Sequence, residues 1–215
     1  MKRTTPEAPN FAQDTGDGRL FAPSAARNFE SIAQELRQIT PTTGQALELA
    51  SGTGQHIAQH AANHPDINWH PSEIDTDRRA SIDAYVALAG LGNLHAARAL
   101  NATKPGWGAD LGFDLILLSN LLHLISDQEA KTLIAETALA LAPQGRFFLY
   151  GPFKRNGELT SEGDTSFHNS LQAQDPAIGY KDDQTILSWA KDAGLTLHRK
   201  TDMPANNLAF TFERP

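Results

Sequence analysis

Apolar positions along the chain follow two periods. Short, nearly continuous apolar runs at 46–50, 67–74, 94–100, 113–118 ("FDLILL"), 146–150 ("RFFLY"), 195–200 and 208–213 have the length and bounds of buried strands. Between them the spacing widens to three and four. Phe29, Ile32, Ala33 and Leu36 mark a helix over 24–39. Further helices are expected over 55–63, 78–89, 126–141 and 183–193. Ser126 with Glu129 three residues on is a capping box that opens the fourth. Gly194 stands where a helix usually terminates.

Strand alternating with helix implies an α/β fold, a doubly wound parallel sheet covered on both faces. The last two runs are joined by too few residues for a crossover helix, so they pair antiparallel. Residues 1–18 are polar and rich in Pro, Gly and Asp, and read as a flexible arm or cover. A single domain follows over 19–215. Within it, 151–182 is polar and glycine-rich with few apolar anchors, a lid-like insertion.

Composition narrows the class. Of 215 residues, 40% are hydrophobic and 20% charged, as in an ordinary globular protein. The formal net charge of −7 disfavours nucleic acid, which needs clustered Lys and Arg. Without cysteine there are no disulfides or thiolate metal sites. No apolar run approaches the ~20 residues of a membrane span, and the N-terminus has no secretory signal pattern. A cytoplasmic protein is expected.

The candidate chemistry starts at "LELASGTGQHI", 47–57. Gly52 and Gly54 lie between the first strand of the sheet and the following helix, where side chains must be absent if a ligand is to reach the backbone. A ligand-free tight turn is the plain alternative. A dinucleotide fingerprint needs a third glycine where Ile57 stands, and no P-loop Gly-Lys-Ser/Thr follows. Glu48 is costly in an apolar strand unless it accepts hydrogen bonds or meets a cation. Glu73 ends the next strand, about 20 residues on, where an acid accepts from both ribose hydroxyls. A ribose, no pyrophosphate and a carboxylate beside the loop point to S-adenosylmethionine.

"LELASGTGQH", "WHPSEID", "SNLLHLI", "FLYGPF", "SEGDTSFHNSLQAQDP" and "MPANNL" together resemble a methyltransferase-like family within the class I S-adenosylmethionine-dependent methyltransferases, catalogued as a domain of unknown function. The resemblance runs from about Arg19 to Glu213. It implies a Rossmann-like seven-stranded sheet of order 3-2-1-4-5-7-6 with strand 7 antiparallel, and S-adenosylmethionine as cofactor. It implies no substrate. By the resemblance, Glu48, Ser51, Gly52 and Gly54 form the cofactor loop and Glu73 holds the ribose. Asn101 stands where many such enzymes have an Asp against the adenine amino group, and Asn120 and Leu121 lie beside the methionine part. Arg27, from the family's "RN" pattern, either pairs with the methionine carboxylate or is a surface helix residue.

Methyl transfer from a sulfonium asks the protein for position, desolvation and sometimes a base. His123 is either that base or a packed histidine. Tyr150 and Phe153 line a substrate pocket or pack the sheet edge. Glu162 and Phe167 on the insertion, with Asn206 in the last turn, complete the expected substrate site. His56, His60 and His64 share one helix face, but no partner motif supplies the remaining zinc ligands, so no metal is expected. The reading is a small-molecule methyltransferase. The alternative is a non-catalytic cofactor-binding protein on the same fold.

Overall fold

The computed structural model of the protein describes residues 12–215. Its elements are β1 (Gln13–Asp14), β2 (Leu20–Phe21), α1 (Pro23–Ile39), β3 (Gly44–Leu49), α2 (Gln55–Asn63), β4 (Ile67–Glu73), α3 (Thr76–Ala89), β5 (Arg98–Ala99) and β6 (Phe113–Ser119). A 3-10 turn at Leu122–Leu124 follows, then α4 (Asp127–Ala140), β7 (Leu141–Lys154), α5 (Glu162–Gln174), β8 (Lys181–Asp182), α6 (Asp183–Asp192), β9 (Thr196–Asp202) and β10 (Asn207–Glu213).

The large sheet runs β5-β4-β3-β6-β7-β10-β9, with β8 added beside the end of β7. Counted from β3 as the first strand, that is 3-2-1-4-5-7-6. β10 runs antiparallel to both neighbours, while the pairs around β3, β4 and β6 are parallel. This is the Rossmann-like fold of class I methyltransferases.

Strand parity divides the core. On one face Leu47, Leu49, Ile116, Leu118, Phe147, Leu149 and Phe210 pack against Leu133 and Ile134 of α4 and Ile186 of α6. On the other, Ala46, Leu115, Leu117, Phe148 and Tyr150 meet Ile32 and Leu36 of α1, Ile57 of α2 and Ile82 of α3. Successive strand side chains point to opposite faces, so each apolar strand feeds both layers. Burying such strands on both faces supplies most of the driving force, at about 25 cal/mol per Å² of apolar surface.

Three expectations change in detail. The lid-like insertion expected over 151–182 carries regular structure. Its first residues extend β7, whose Pro152 and Gly151 pair with β10, and its centre is α5. The buried face of α5 is Asp164, His168 and Leu171, helical spacing carried mainly by polar residues and so invisible to hydropathy. Second, residues 12–18 are not a loose arm. The β1–β2 hairpin docks on α3, where Leu20 N donates to Ser81 Oγ at 2.8 Å and Arg19 lies over the Tyr85 ring at 5.1 Å. Residues 1–11 of the expected arm lie outside the described residues. Third, the strand expected over 94–100 is reduced to β5 and one bridge from Leu94 to Trp69. No helix among the described residues is long and apolar enough to cross a membrane.

Candidate functional site

A cavity of about 690 Å³ opens at the carboxyl ends of β3, β6 and β7. That is where ligands enter doubly wound sheets. The 50–53 loop forms one wall. Ala50 and Gly52 both take positive φ, +50° and +59°, and a Cβ added at Gly52 would meet nothing nearer than 4.0 Å. Gly52 therefore leaves open room on the loop. Gly54 does not line the cavity: a Cβ there would stand 2.8 Å from the Ile82 Cα of α3. The sequence assigned both glycines to ligand approach, whereas the second is required by helix packing and by its φ of +92°.

The loop is tied down by polar side chains. Ser51 Oγ donates to the Glu48 carbonyl at 3.3 Å and accepts from Ser72 N at 3.2 Å, while Ser51 N donates to Ser72 O at 2.8 Å. Glu73 accepts from Gly52 N at 3.1 Å, from Ile74 N at 2.8 Å and from Asp75 N at 3.1 Å. Its carboxylate is thus first a staple between β4 and the glycine loop. It does not itself line the cavity.

Glu48 has the opposite character. It is buried, and its Oε2 meets no hydrogen-bond partner among the described residues. Burial, and then the nearby Glu73 charge, push its carboxyl up to about 8, with the neighbouring Ser51 side chain opposing the shift. Asn28 Oδ1 is a second buried oxygen without a partner among the described residues, and both residues line the cavity. Two such oxygens in a cavity fit a ligand that brings donors, above all an ammonium, whose charge would also draw the proton off the Glu48 carboxyl. Arg27 lies exposed along the same rim. Arg78, which sequence reasoning did not single out, also lines it.

The far end is aromatic. Asn120 takes φ +56° after β6, held by its N–H to Tyr150 O at 2.9 Å, and Leu121 follows on the cavity wall. His123 is buried in the 3-10 turn, edge-on to Phe167 at 5.7 Å and to Tyr180 at 6.2 Å. Burial, helped by the Lys181 charge, drives its imidazole down to about 3. Burial likewise pushes the Tyr150 hydroxyl up to about 12, against a hydrogen bond from Asn28. At neutral pH the wall presents a neutral imidazole and a protonated phenol.

Asp164 holds α5 over this end. It accepts from Thr160 Oγ1 at 2.7 Å, Ser161 Oγ at 2.8 Å, Asn206 Nδ2 at 3.1 Å and the Tyr180 hydroxyl at 3.2 Å. Burial raises its pKa, but these bonds outweigh burial and keep it below the ordinary value. Ser161 caps α5, with Asp164 N donating to its Oγ at 3.1 Å. That Ser-x-x-Asp spacing was the available signal for the helix.

Besides Gly54 and Glu73, four expected site residues stand elsewhere. Phe153 has the wrong strand parity: it packs against Phe210 at 5.1 Å on the opposite face, while Tyr150 and Pro152 line the cavity. Asn101 turns its Oδ1 onto Thr103 N and Oγ1 at 3.1 and 2.8 Å, so its carbonyl is committed to its own loop. Glu162 is an exposed first-turn residue of α5, and Asn206 reaches Asp164 rather than the cavity. Arg27, Glu48, Ser51, Gly52, Asn120, Leu121, His123, Tyr150 and Phe167 do share the cavity.

A sequence family described as "Protein of unknown function (DUF938)" matches residues 19–214. The chain belongs to that family. Its fold, in this DUF938 chain, is shared by solved structures of low sequence identity. An O-methyltransferase family protein from Burkholderia thailandensis superposes with a TM-score of 0.77 at 16% identity, over 89% of this chain and 57% of that one. PigF, solved with SAH, gives 0.73 at 18% identity over 88% and 56%. A candidate sarcosine dimethylglycine methyltransferase from Galdieria sulphuraria gives 0.71 at 15%, over 95% and 92%. The DUF938 chain thus spans little more than half the length of the first two and nearly all of the third.

Proposed function

We propose that this chain binds S-adenosylmethionine in the β3–β6–β7 cavity and passes its methyl group, in line, to a small-molecule acceptor. The observation that carries the reading is the pair of buried oxygens, Glu48 Oε2 and Asn28 Oδ1, that have no partner among the described residues, beside the open backbone of Gly52. A cationic amino-acid end supplies the missing donors there. Arg27 and Arg78 stand on the rim for its carboxylate, a pairing the guanidinium geometry favours. Bound, the cofactor would supply an electrophilic methyl group on a sulfonium.

The chain's part is position and exclusion of water. His123, Phe167, Tyr150 and Tyr180 enclose the acceptor end. An imidazole held down to about 3 is a weak base, so it serves by accepting a hydrogen bond from the acceptor's N–H or O–H. Full proton transfer is left until the acceptor becomes cationic. The fold neighbours, methyltransferases by name, support the reaction class.

Calorimetry with S-adenosylmethionine and with its demethylated product tests the first step. Absence of binding at high micromolar concentration would sink it. The second reading, a cofactor-binding protein without turnover, draws on the committed Asn101 carbonyl and the weakly basic His123. Incubation with labelled cofactor and cell extract separates the two: a labelled small molecule supports catalysis, and binding without any labelled product supports the second reading.

A further inference from the structure

Behind the glycine-loop wall, α2 carries His56 and His60 one turn apart, and β3 brings Glu48 against them. One ligand atom from each lies within 4.8 Å of the other two. We propose that Glu48, His56 and His60 form a binding site for a transition-metal dication of the zinc class.

The sequence offered two histidines at i and i+4, the helical spacing that zinc sites use, and lacked a third ligand. The fold provides it from another element. The donor set, two imidazoles and one carboxylate, is one that zinc takes in catalytic sites, with an open fourth position. Bonds of about 2.0–2.2 Å put donor atoms roughly 3.5 Å apart, so side-chain movements of about an ångström close the cluster.

Three details point to a ligand rather than to packing alone. Both ring nitrogens of His60, which is 1% exposed, have no partner among the described residues, and neither does Glu48 Oε2. Unpaired buried polar atoms are rare and call for an occupant. His56 Nε2 bonds to the Ala25 carbonyl at 2.8 Å. That bond fixes the tautomer with a lone pair on Nδ1, the outer-sphere arrangement metal-bound histidines use. Finally, Phe29 and Trp69 pack the His60 ring at 5.3 and 5.8 Å, a dry wall that holds its orientation.

Glu48 and His56 also line the cavity, whereas His60 does not. The open fourth position therefore faces the cavity and can hold water. An ammonium and a metal dication drawn to the same carboxylate repel each other, so Zn2+ should compete with the cofactor. This consequence, unlike the metal site itself, rests on the cofactor reading above.

The test is titration of chelator-treated full-length protein with Zn2+ and Co2+. One ion per chain is expected, with the strong visible absorption of four- or five-coordinate Co2+. His60→Leu, folded by circular dichroism, should weaken Zn2+ by at least about tenfold while leaving cofactor affinity unchanged. If that variant does not fold, His60→Gln carries the same comparison. No bound metal in the wild type, or equal affinity in the His60 variant, overturns the site. Zn2+ should raise the apparent Kd for the demethylated cofactor in wild type and not in His60→Leu; an unchanged Kd in wild type overturns the shared carboxylate. Failure of cofactor binding without Zn2+ would instead fall on the function proposed above.

Discussion

Replacing Glu73 by alanine tests whether one carboxylate couples the strand end to the glycine loop. The side chain accepts three backbone N–H groups, those of Gly52, Ile74 and Asp75, in a site only 4% exposed. A hydrogen bond to a charged group is worth about 1.5–3 kcal/mol. After truncation, water can reach the amides of Ile74 and Asp75, since both residues are exposed. The amide of Gly52 loses its partner on the half-buried loop. The expected loss of stability is therefore about 2–4 kcal/mol rather than the sum of three bonds. Cofactor affinity should fall as well, because the glycine loop loses its anchor. About 1–3 kcal/mol corresponds to roughly 5–150-fold in Kd. Urea denaturation measures the first quantity, and calorimetry on the folded variant the second. Glu73→Gln keeps one acceptor oxygen and should fall between wild type and alanine in both. A denaturation midpoint equal to wild type would refute the staple. Unchanged cofactor affinity in a folded variant would refute the link between this staple and the cofactor loop.

Gly54→Ala should cost about 1–3 kcal/mol in thermal unfolding, since its Cβ meets the Ile82 backbone at 2.8 Å in a φ +92° conformation; an unchanged Tm would mean that α3 yields without cost. The Glu48 carboxyl, at about 8 in the fold against 4.5 ordinarily, holds a proton that the unfolded chain releases. Its contribution is complete below about pH 4.5 and is lost as pH rises through about 8. Metal-free protein should therefore lose about 2 kcal/mol between about pH 6 and 8, and Glu48→Gln should remove that slope; an identical slope in the variant would contradict the assignment. His123→Ala should lower kcat with cofactor affinity near normal. In the wild type, kcat/KM should show no acid limb near the ordinary 6.5, because His123 is held down to about 3. A limb there that vanishes in the variant would refute the buried, neutral imidazole.

The sheet was legible because its strands are buried on both faces. "FDLILL" and "RFFLY" read as strands without any partner, since continuous apolar runs of that length have few other uses. The Ser126–Glu129 capping box set the start of α4, and the structure holds it from both sides. What the pattern could not carry was length. β7 runs through Gly151, Pro152 and Phe153 to Lys154, because neighbouring β10 and β8 supply partners that no local signal announces. The strand expected over 94–100 fails for the mirror reason, since β5 is an edge with one partner strand.

The candidate site divides along the same physical line. Glu48, Gly52 and Asn120 were readable because each breaks a rule locally: a charge in an apolar strand, a residue without a side chain at a strand end, a polar residue where the apolar run stops. Phe153 misled because a single residue of parity separates the cavity side, with Tyr150 and Pro152, from the opposite core, and parity is set only once the strand is known to continue. α5 was missed because its inward face is Asp164 and His168, whose burial is paid in hydrogen bonds from Thr160, Ser161, Asn206, Tyr180 and the Tyr180 amide. Such a face has helical spacing but no hydropathy signal. The third member of the histidine cluster was hidden for a related reason: His56 and His60 share a helix, while Glu48 reaches them from β3 only through the strand-loop-helix turn. Polar groups that satisfy one another across elements are set by the fold as a whole, and they are what closes the acceptor end of the cavity.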